Sequence, residues 1–554
     1  MYTRVSRKRE KGKTYEYLQL CEAYRNKQGQ PRTRTLMNLG RLDQLDRSKI
    51  DAAVEALLAY STNPKITRVS DLEHRDASDY GDMLALVHLW DRLGLADSIR
   101  RHLRDKKVCF EVAELIKVMV LNRLSDPLSK LGVMRWLPTV YIPDLRRQEV
   151  TYPHLLRAMD YLVEIKEQVE KDLYCELVGL FNLEVEVVLM DLTSCYFEGE
   201  GPGLAQWGYS RDRRPQRKQI VLALVVTKEG LPVYHEVLPG NTADVTTLIP
   251  TVDVLRGRFR IGRCILVFDR GMVSEENLAY LDEQGIPYIV AIRRRGTRES
   301  DELISKGLRG FVEMEELGLR VKEKKKGEIR YILCHNPEVA KSKRGTREEF
   351  FKKAQGEIDK LNRRFRKGQL SPQGLYHKAM EVLQHYHLER YFCPEVERRG
   401  VILYMDTELL EREHFLEGKF FLRTRLSAEQ MSTADVIRTY KGLSEIERAF
   451  RILKDPLKLR PIFHWTDRRV RAHVMICVLA YLLQKVMGIY CQRANLKLSP
   501  QRALGILSQL KAIRSRLGNQ TVVLTTTVED HMRQILHAAQ IPIPEKVIQS
   551  QLVT

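Results

Sequence analysis

The chain has 554 residues, carries 92 Lys and Arg against 72 Asp and Glu, and has a formal charge of +20. That length exceeds one hydrophobic core, so several domains are expected; the basic excess points to a polyanion, most simply nucleic acid, though a merely soluble basic protein has the same balance. Nine cysteines without CxxC spacing argue against a disulfide framework or a structural zinc site and for a reducing, cytoplasmic setting, and the start MYTRVSRKREKGK is not a signal peptide.

Residues 1–62 read as a small basic unit. Segments 14–20 and 32–39 have strand character, with the turn-rich NKQGQ between them, and a helix follows with Ile50, Val54, Leu57 and Leu58 on one side. Arg4, Arg7, Lys8, Arg9, Lys11 and Lys13 form a charged arm, readable either as a DNA backbone contact or as a solvated tail. From Asn63-Pro64 the pattern turns helical, at 83–95, 112–124 and 155–180. A helical domain over 63–182, for DNA binding or dimer contacts, is expected.

At Val185 the character changes. VEVVLMDLTS (185–194) is an apolar strand carrying Asp191. An acid in a strand buried on both faces is costly unless it is paired or binds metal. A hairpin is expected from 219–227 and 231–238, then a helix with Leu248, Val252 and Leu255 on one face. CILVFDRG (264–271) places Asp269 at the C-terminal end of a second buried strand, where open α/β sheets place their chemistry. Ser274 caps the next helix, and 286–292 is a further strand. This order is that of an α/β, ribonuclease-H-like mixed sheet flanked by helices, over 183–296 and 429–492.

No connecting loop fills the gap between Asp269 and the next acidic motif, so an insertion is expected at 297–428. Its edges are β-rich (320–322, 329–334, 401–405, 419–426), and its basic middle, 346–391, breaks at Gly368-Gln369 like a helical hairpin. Its Lys322, Lys324, Lys325, Lys326, Lys341, Lys343 and Arg344 suit a DNA-facing lobe or a solvated face equally. STADVIRTYKGLSEIERAFRILKDP (432–456) predicts one helix, capped by Ser432 with Asp435 and stopped by Pro456. Seven-residue spacing would put Tyr440, Glu447 and Lys454 on one face of it, with Ile446, Phe450 and Leu453 docking it on a core. Thr466-Asp467 opens a further helix; its apolar run at 474–490 contains Gln484 and Lys485 and reads as buried core rather than a membrane span. The region 493–554 should hold a helix at 500–517, a strand at 521–526 and a helix from Val528.

Asp191, Asp269 and Glu447 are hard oxygen donors suited to Mg²⁺ or Mn²⁺. Two such ions about 4 Å apart can clamp an in-line phosphoryl displacement. The first and fourth strands of a ribonuclease-H-like sheet are neighbours, which would bring the two aspartates together, with Glu447 as third ligand. Thr193, Ser194 and Asp244 are candidates to support them, or ordinary loop hydrogen-bonding groups. A metal nuclease that joins nothing, or an inactive DNA-binding derivative, has the same outline.

These residues resemble a DDE transposase of bacterial insertion sequences, in the group marked by Y-x2-R-x3-E-x6-K. Here the motif reads Tyr440, Leu443, Glu447, Lys454, with Leu443 in the arginine position and Lys441, Arg448 and Arg451 as cations able to substitute. LMDLT (189–193), FDRGM (268–272), GYSRDRRP (208–215) and PGNTAD (239–244) are similar in type. The resemblance covers 185–295 and 400–490. It implies an enzyme that binds the inverted repeats of its own element as a dimer, cuts at the 3′ ends with two divalent ions, and joins them to target double-stranded DNA. It implies Tyr440 and Lys454 as DNA contacts beside the scissile phosphate, core packing being the other reading of Tyr440. Trp207, Tyr209, Arg211, Arg213 and Arg214 mix aromatic and cationic groups in a way that suits unpaired DNA or an exposed hairpin.

Overall fold

The computed structural model describes residues 2–10, 12–26, 28–58, 72–181, 186–259, 264–292, 310–517 and 520–552. The Asn63-Pro64 boundary, Val185, the start of the insertion at 297 and Lys11 of the arm lie outside the described residues. The chain forms two compact units: Met1–Ala85 with Pro138–Pro143 and Arg502–Thr554, and Leu86–Leu137 with Asp144–Gln501.

In the first unit β1 (Tyr2–Glu10), β2 (Lys13–Arg25) and β3 (Pro31–Arg41) make an antiparallel sheet, followed by the helix Arg47–Leu58. The expected charged arm is therefore a strand, paired with β2 from Tyr2↔Cys21 to Glu10↔Lys13. Gly12, at φ 78°, supplies the left-handed residue of the turn. A further strand, β4 (Leu72–Asp79), stands where only helix was expected.

The helix Gly81–Arg92 runs across the division at Ala85, and the helices that follow in the second unit include Val112–Ser125, Tyr152–Glu164 and Lys166–Phe181. The sheet that follows contains β5 (Val187–Tyr196), β6 (Gln219–Thr227), β7 (Pro232–Pro239), β8 (Ile265–Phe268) and β9 (Tyr288–Ile292) in the order β7-β6-β5-β8-β9. β5 pairs antiparallel with β6 and parallel with β8, and β8 is parallel to β9. This is the ribonuclease-H-like arrangement, and all nine residues of β6 are buried.

β10 (Val312–Met314), β11 (Leu319–Lys326), β12 (Ile329–His335) and, after the hairpin β13 (Phe392–Glu397) and β14 (Gly400–Met405), β15 (Lys419–Thr424) come from the expected insertion. Four of these strands continue the same sheet, because β15 pairs antiparallel with β9 and the order runs on through β12 and β11 to β10. The helical hairpin is present as Pro337–Arg366 and Pro372–His385.

The single helix expected over 432–454 is two, Thr433–Lys441 and Ser444–Lys454. Between them Leu443 N–H donates to Tyr440 O at 3.1 Å and Glu445 N–H to Gly442 O at 2.9 Å, the i→i+3 bonds of a tighter turn. This breaks the seven-residue phase linking Tyr440 to Glu447. Ser432 caps the first helix as expected, accepting from Asp435 N–H. Leu443 is buried at the joint, so the motif's arginine position is filled here by a core residue.

The helix Asp467–Arg493 is long and apolar enough to span a membrane by length and composition, but 83% of its apolar window is buried inside the protein. Thr466 caps it, accepting from Arg469 N–H. The helix expected over 500–517 stops at Leu507. KAIRSRL, without a period-two signal, forms β16 (Lys511–Leu517), paired with β4 and with β17 (Gln520–Thr525). With β17 and β18 (Val547–Leu552) it makes a sheet in the order β18-β17-β16-β4, within the first unit.

Candidate active site

Strand register brings the two aspartates together. The parallel ladder of β5 and β8 ends at Met190↔Phe268, so Asp191 and Asp269 occupy the next level on neighbouring strands, with backbones about 4.8 Å apart. Alternation sends Val188, Met190 and Leu192 into the core on one face, which leaves Asp191 on the other. The helix Ser444–Lys454 packs on β5 through its buried Ile446, Ala449, Phe450 and Leu453 and carries Glu447 exposed on its outer side.

The three carboxylates act on one another electrostatically. Burial pushes the Asp191 carboxyl up to about 7; Asp269 and Glu447 add to the rise, while the Leu192 N–H bond at 2.7 Å and Arg211 oppose it. Tyr440, stacked on Phe420 with ring centroids 6.3 Å apart, has its hydroxyl raised to about 12 by burial and by Asp269, Glu447 and Asp191. A concentration of negative charge is thus drawn from β5, the end of β8 and the helix Ser444–Lys454, within range of Tyr440.

The loop 208–215 is tied down beside it. Arg211 pairs with Asp244 at 2.5 Å, and its N–H donates to Ser194 Oγ at 2.9 Å. Asp244 and Ser194 therefore hold the loop rather than touching the acids. Asp212, a residue that sequence reasoning passed over, is 3% exposed and receives Lys454 Nζ at 2.8 Å and Arg460 at 3.0 Å. Lys454 accordingly points into an ion pair, not outward. Arg213 and Arg451 are exposed. Beyond β5, Phe197 bridges to Ile462, and the neighbouring segments display Trp207, Tyr209, Phe463 and Trp465 to solvent. An acid set among three cations in GYSRDRRP was the available signal for Asp212.

Among the described residues, no three His, Cys, Asp or Glu side chains are drawn together tightly enough to hold a metal ion as they stand. The donor set nevertheless suits a hard divalent cation. It is made of carboxylate oxygens, and its central member is pushed up to about 7 by burial, with the like charge of Asp269 and Glu447 adding to the rise; a bound cation would reverse that direction.

Family comparison decides the class. The model of the transposase DDE domain matches residues 184–483, more than half of the chain, and that of the IS1634 family transposase N-terminal domain matches residues 3–66. The chain belongs to the DDE transposases. Among solved structures, the transposase is similar to the piggyBac transposase synaptic complex with hairpin DNA (TM-score 0.37, 10% identity, 77% of this chain and 79% of that one). It is similar also to the Mos1 transposase paired-end complex with left transposon end (TM-score 0.15, 16% identity, 45% of this chain and 68% of that one). Neither likeness is close enough to bear on the assignment. No curated protein matches the chain. Membership of the family implies dependence on a divalent metal ion.

Proposed function

We propose that Asp191, Asp269 and Glu447 are the catalytic acids of this transposase, holding two Mg²⁺ or Mn²⁺ ions at the C-terminal end of β8. The enzyme would bind double-stranded DNA at the inverted repeats of its own insertion sequence, cut one strand at each end, and transfer the freed 3′ end to target DNA. The observation that carries this reading is the concentration of like charge at Asp191. Asp191 is enclosed beside Asp269 and Glu447, and the Leu192 N–H and Arg211 offset its burial only in part; an acid so placed is a candidate for a bound cation.

Bound divalent ions supply Lewis-acid stabilisation of the charge that develops in phosphoryl displacement. The chain's own residues position the strand. Asp191 is fixed by the Leu192 N–H. Arg211, clamped by Asp244, stiffens the loop that flanks the acids, and Arg213 and Arg451 present exposed cations to the phosphate backbone. Tyr440 stacks on Phe420 and its hydroxyl is within electrostatic range of the acids, which suits a residue lining the path of the scissile strand. Lys454 acts through Asp212, holding the loop 208–215 against the Glu447 helix.

We assign residues 1–62 and 63–182 to end binding and dimer contacts, 183–296 with 429–492 to catalysis, 297–428 to covering the site, and 493–554 to a C-terminal region. The working form would be a homodimer on DNA in the cytoplasm. The test is strand transfer by the purified enzyme of a pre-cut end taken from the DNA flanking its gene, with Mg²⁺ or Mn²⁺. Joined product is expected; cleavage without joining, at every divalent ion tried, would reduce the enzyme to a nuclease.

A further inference from the structure

The N-terminal sheet sorts its charges by face. Directly paired residues project to the same side, so the register assigns each side chain. On one face the acids of β2 are neutralised: Glu16 by Arg7 at 2.8 Å and Glu22 by Arg34 at 2.6 Å. The other face carries Arg4, Lys8, Lys13 and Arg41, and its one strand acid among the described residues is Glu10, at the turn. Arg41 lies 4.0 Å over the Tyr15 ring and pairs with Asp43. Arg4, Lys8 and Lys13 are exposed and pair with no acid among the described residues.

Across the middle of that face runs a row of hydrogen-bonding side chains. Arg4 stands opposite Gln19, and Gln19 opposite Asn38, one residue from each strand. Tyr15, Tyr17 and Gln19 are half-buried and Cys21 is buried on this face, so what it exposes is the basic and polar set Arg4, Lys8, Lys13 and Asn38 around the Arg-Gln-Asn row, a set matched to duplex DNA.

We propose that this face enters the major groove and reads the terminal sequence of the element. The dimensions agree: three strands span about 10 Å, and the groove is about 12 Å wide. Gln19 and Asn38 are the amides that pair with adenine edges, and Arg4 suits guanine. Lys8 and Lys13, at the end of the β1–β2 hairpin, reach flanking phosphates. The proposal rests on the reading that this transposase recognises its own ends, and it gives that task to the first unit rather than to the helical region.

The test uses the full-length protein and a pool of random 30-base-pair duplexes, enriched by binding and then sequenced. Wild type should enrich one motif. The triple variant Arg4→Ala, Gln19→Ala, Asn38→Ala should lose preference at a few adjacent base pairs and bind at least tenfold more weakly. The same changes made singly keep the test open if the triple variant unfolds. Lys8→Ala should retain the motif, bind more weakly at every sequence, and lower the salt slope by about one. Thr3→Ala and Thr14→Ala, on the opposite face, should change nothing. Enrichment of the same motif at unchanged affinity by the single and triple variants overturns the assignment, as does the absence of any motif for wild type. Metal-dependent cutting is scored separately. Lost sequence preference with cutting retained supports the face assignment and leaves the three acids in place. A selected motif with no cutting at any divalent ion removes the acids' role and leaves the face assignment standing.

Discussion

Two buried acids on neighbouring elements of the same unit have opposite surroundings. Asp212 is 3% exposed, and Lys454 and Arg460 stand 2.8 and 3.0 Å from it. Asp191 has its carboxyl raised to about 7 by burial, with Asp269 and Glu447 raising it further; the Leu192 N–H opposes the rise, and the one cation opposing it is Arg211, itself clamped by Asp244. Both lie on the side of β5 that receives the Glu447 helix. The difference shows how a structural acid is told from a functional one. Burial is common to both; what separates them is whether the fold supplies the counter-charge or leaves it to a ligand.

The strongest way to break this comparison is to remove the uncompensated acids. Asp191→Asn, Asp269→Asn and Glu447→Gln should each lower cleavage of element ends on the order of 10³-fold or more, the rate equivalent of several kcal/mol of lost charge stabilisation. DNA binding and the folded state should survive, because nothing in the protein relies on these charges. Chelating divalent ions from the wild type should silence cleavage to the same floor. Rapid cleavage by any of the three variants, measured on labelled end fragments, would remove that residue from the set.

Next in size is the compensated acid. Lys454→Met leaves Asp212 buried with Arg460 alone and should destabilise the enzyme by about 3 kcal/mol, the lower end for breaking a buried pair. Chemical denaturation reads this directly. The double variant with Asp212→Asn should recover part of the loss, since the orphaned charge is gone. If Lys454→Met instead leaves stability untouched and weakens DNA binding, Lys454 is a DNA contact and Asp212 only its resting partner.

How much of this was legible in the sequence follows from the range of the forces involved. Asp191 and Asp269 could be placed because each interrupts an apolar strand, and local pattern reports that directly. Their convergence followed from topology, and the end of the β5–β8 ladder at Met190↔Phe268 agrees with it. Glu447 was placed on a helix, but the break at Gly442-Leu443 was hidden. Both residues keep helical dihedrals there, and only the switch to i→i+3 bonding shifts the phase. Lys454 was expected as a DNA contact, and its ion pair with Asp212 was hidden because that partner lies 242 residues earlier, beyond any periodicity. β1 was taken for an arm because it is a cluster of cations with no period-two apolar pattern, and strand pairing with β2 decides its structure. Four strands of the insertion were visible; β10 and β13 were not, nor was the joining of β15 to β9, because a pairing leaves no mark in either segment alone.

A third buried charge sharpens the comparison with the smallest effect. Lys130 is 5% exposed, and its Nζ has no hydrogen-bond partner among the described residues. Burial first, and Arg123 second, push its ammonium down to about 7, against about 10.4 in an unfolded chain. Between those values the unfolded chain binds more protons, so stability should rise with pH, by at most about 1.4 kcal/mol per unit. Below pH 7 both states are charged and the slope from this group vanishes. Urea titrations of wild type and Lys130→Met at pH 7 and pH 9 measure it as the difference in slope between the two proteins. Equal slopes would mean that Lys130 has found a counter-charge, and that lack of compensation is not special to the acids. A difference would show that a stranded buried charge turns neutral near pH 7 whichever its sign, so that what distinguishes Asp191 is its two acidic neighbours and the cation they call for.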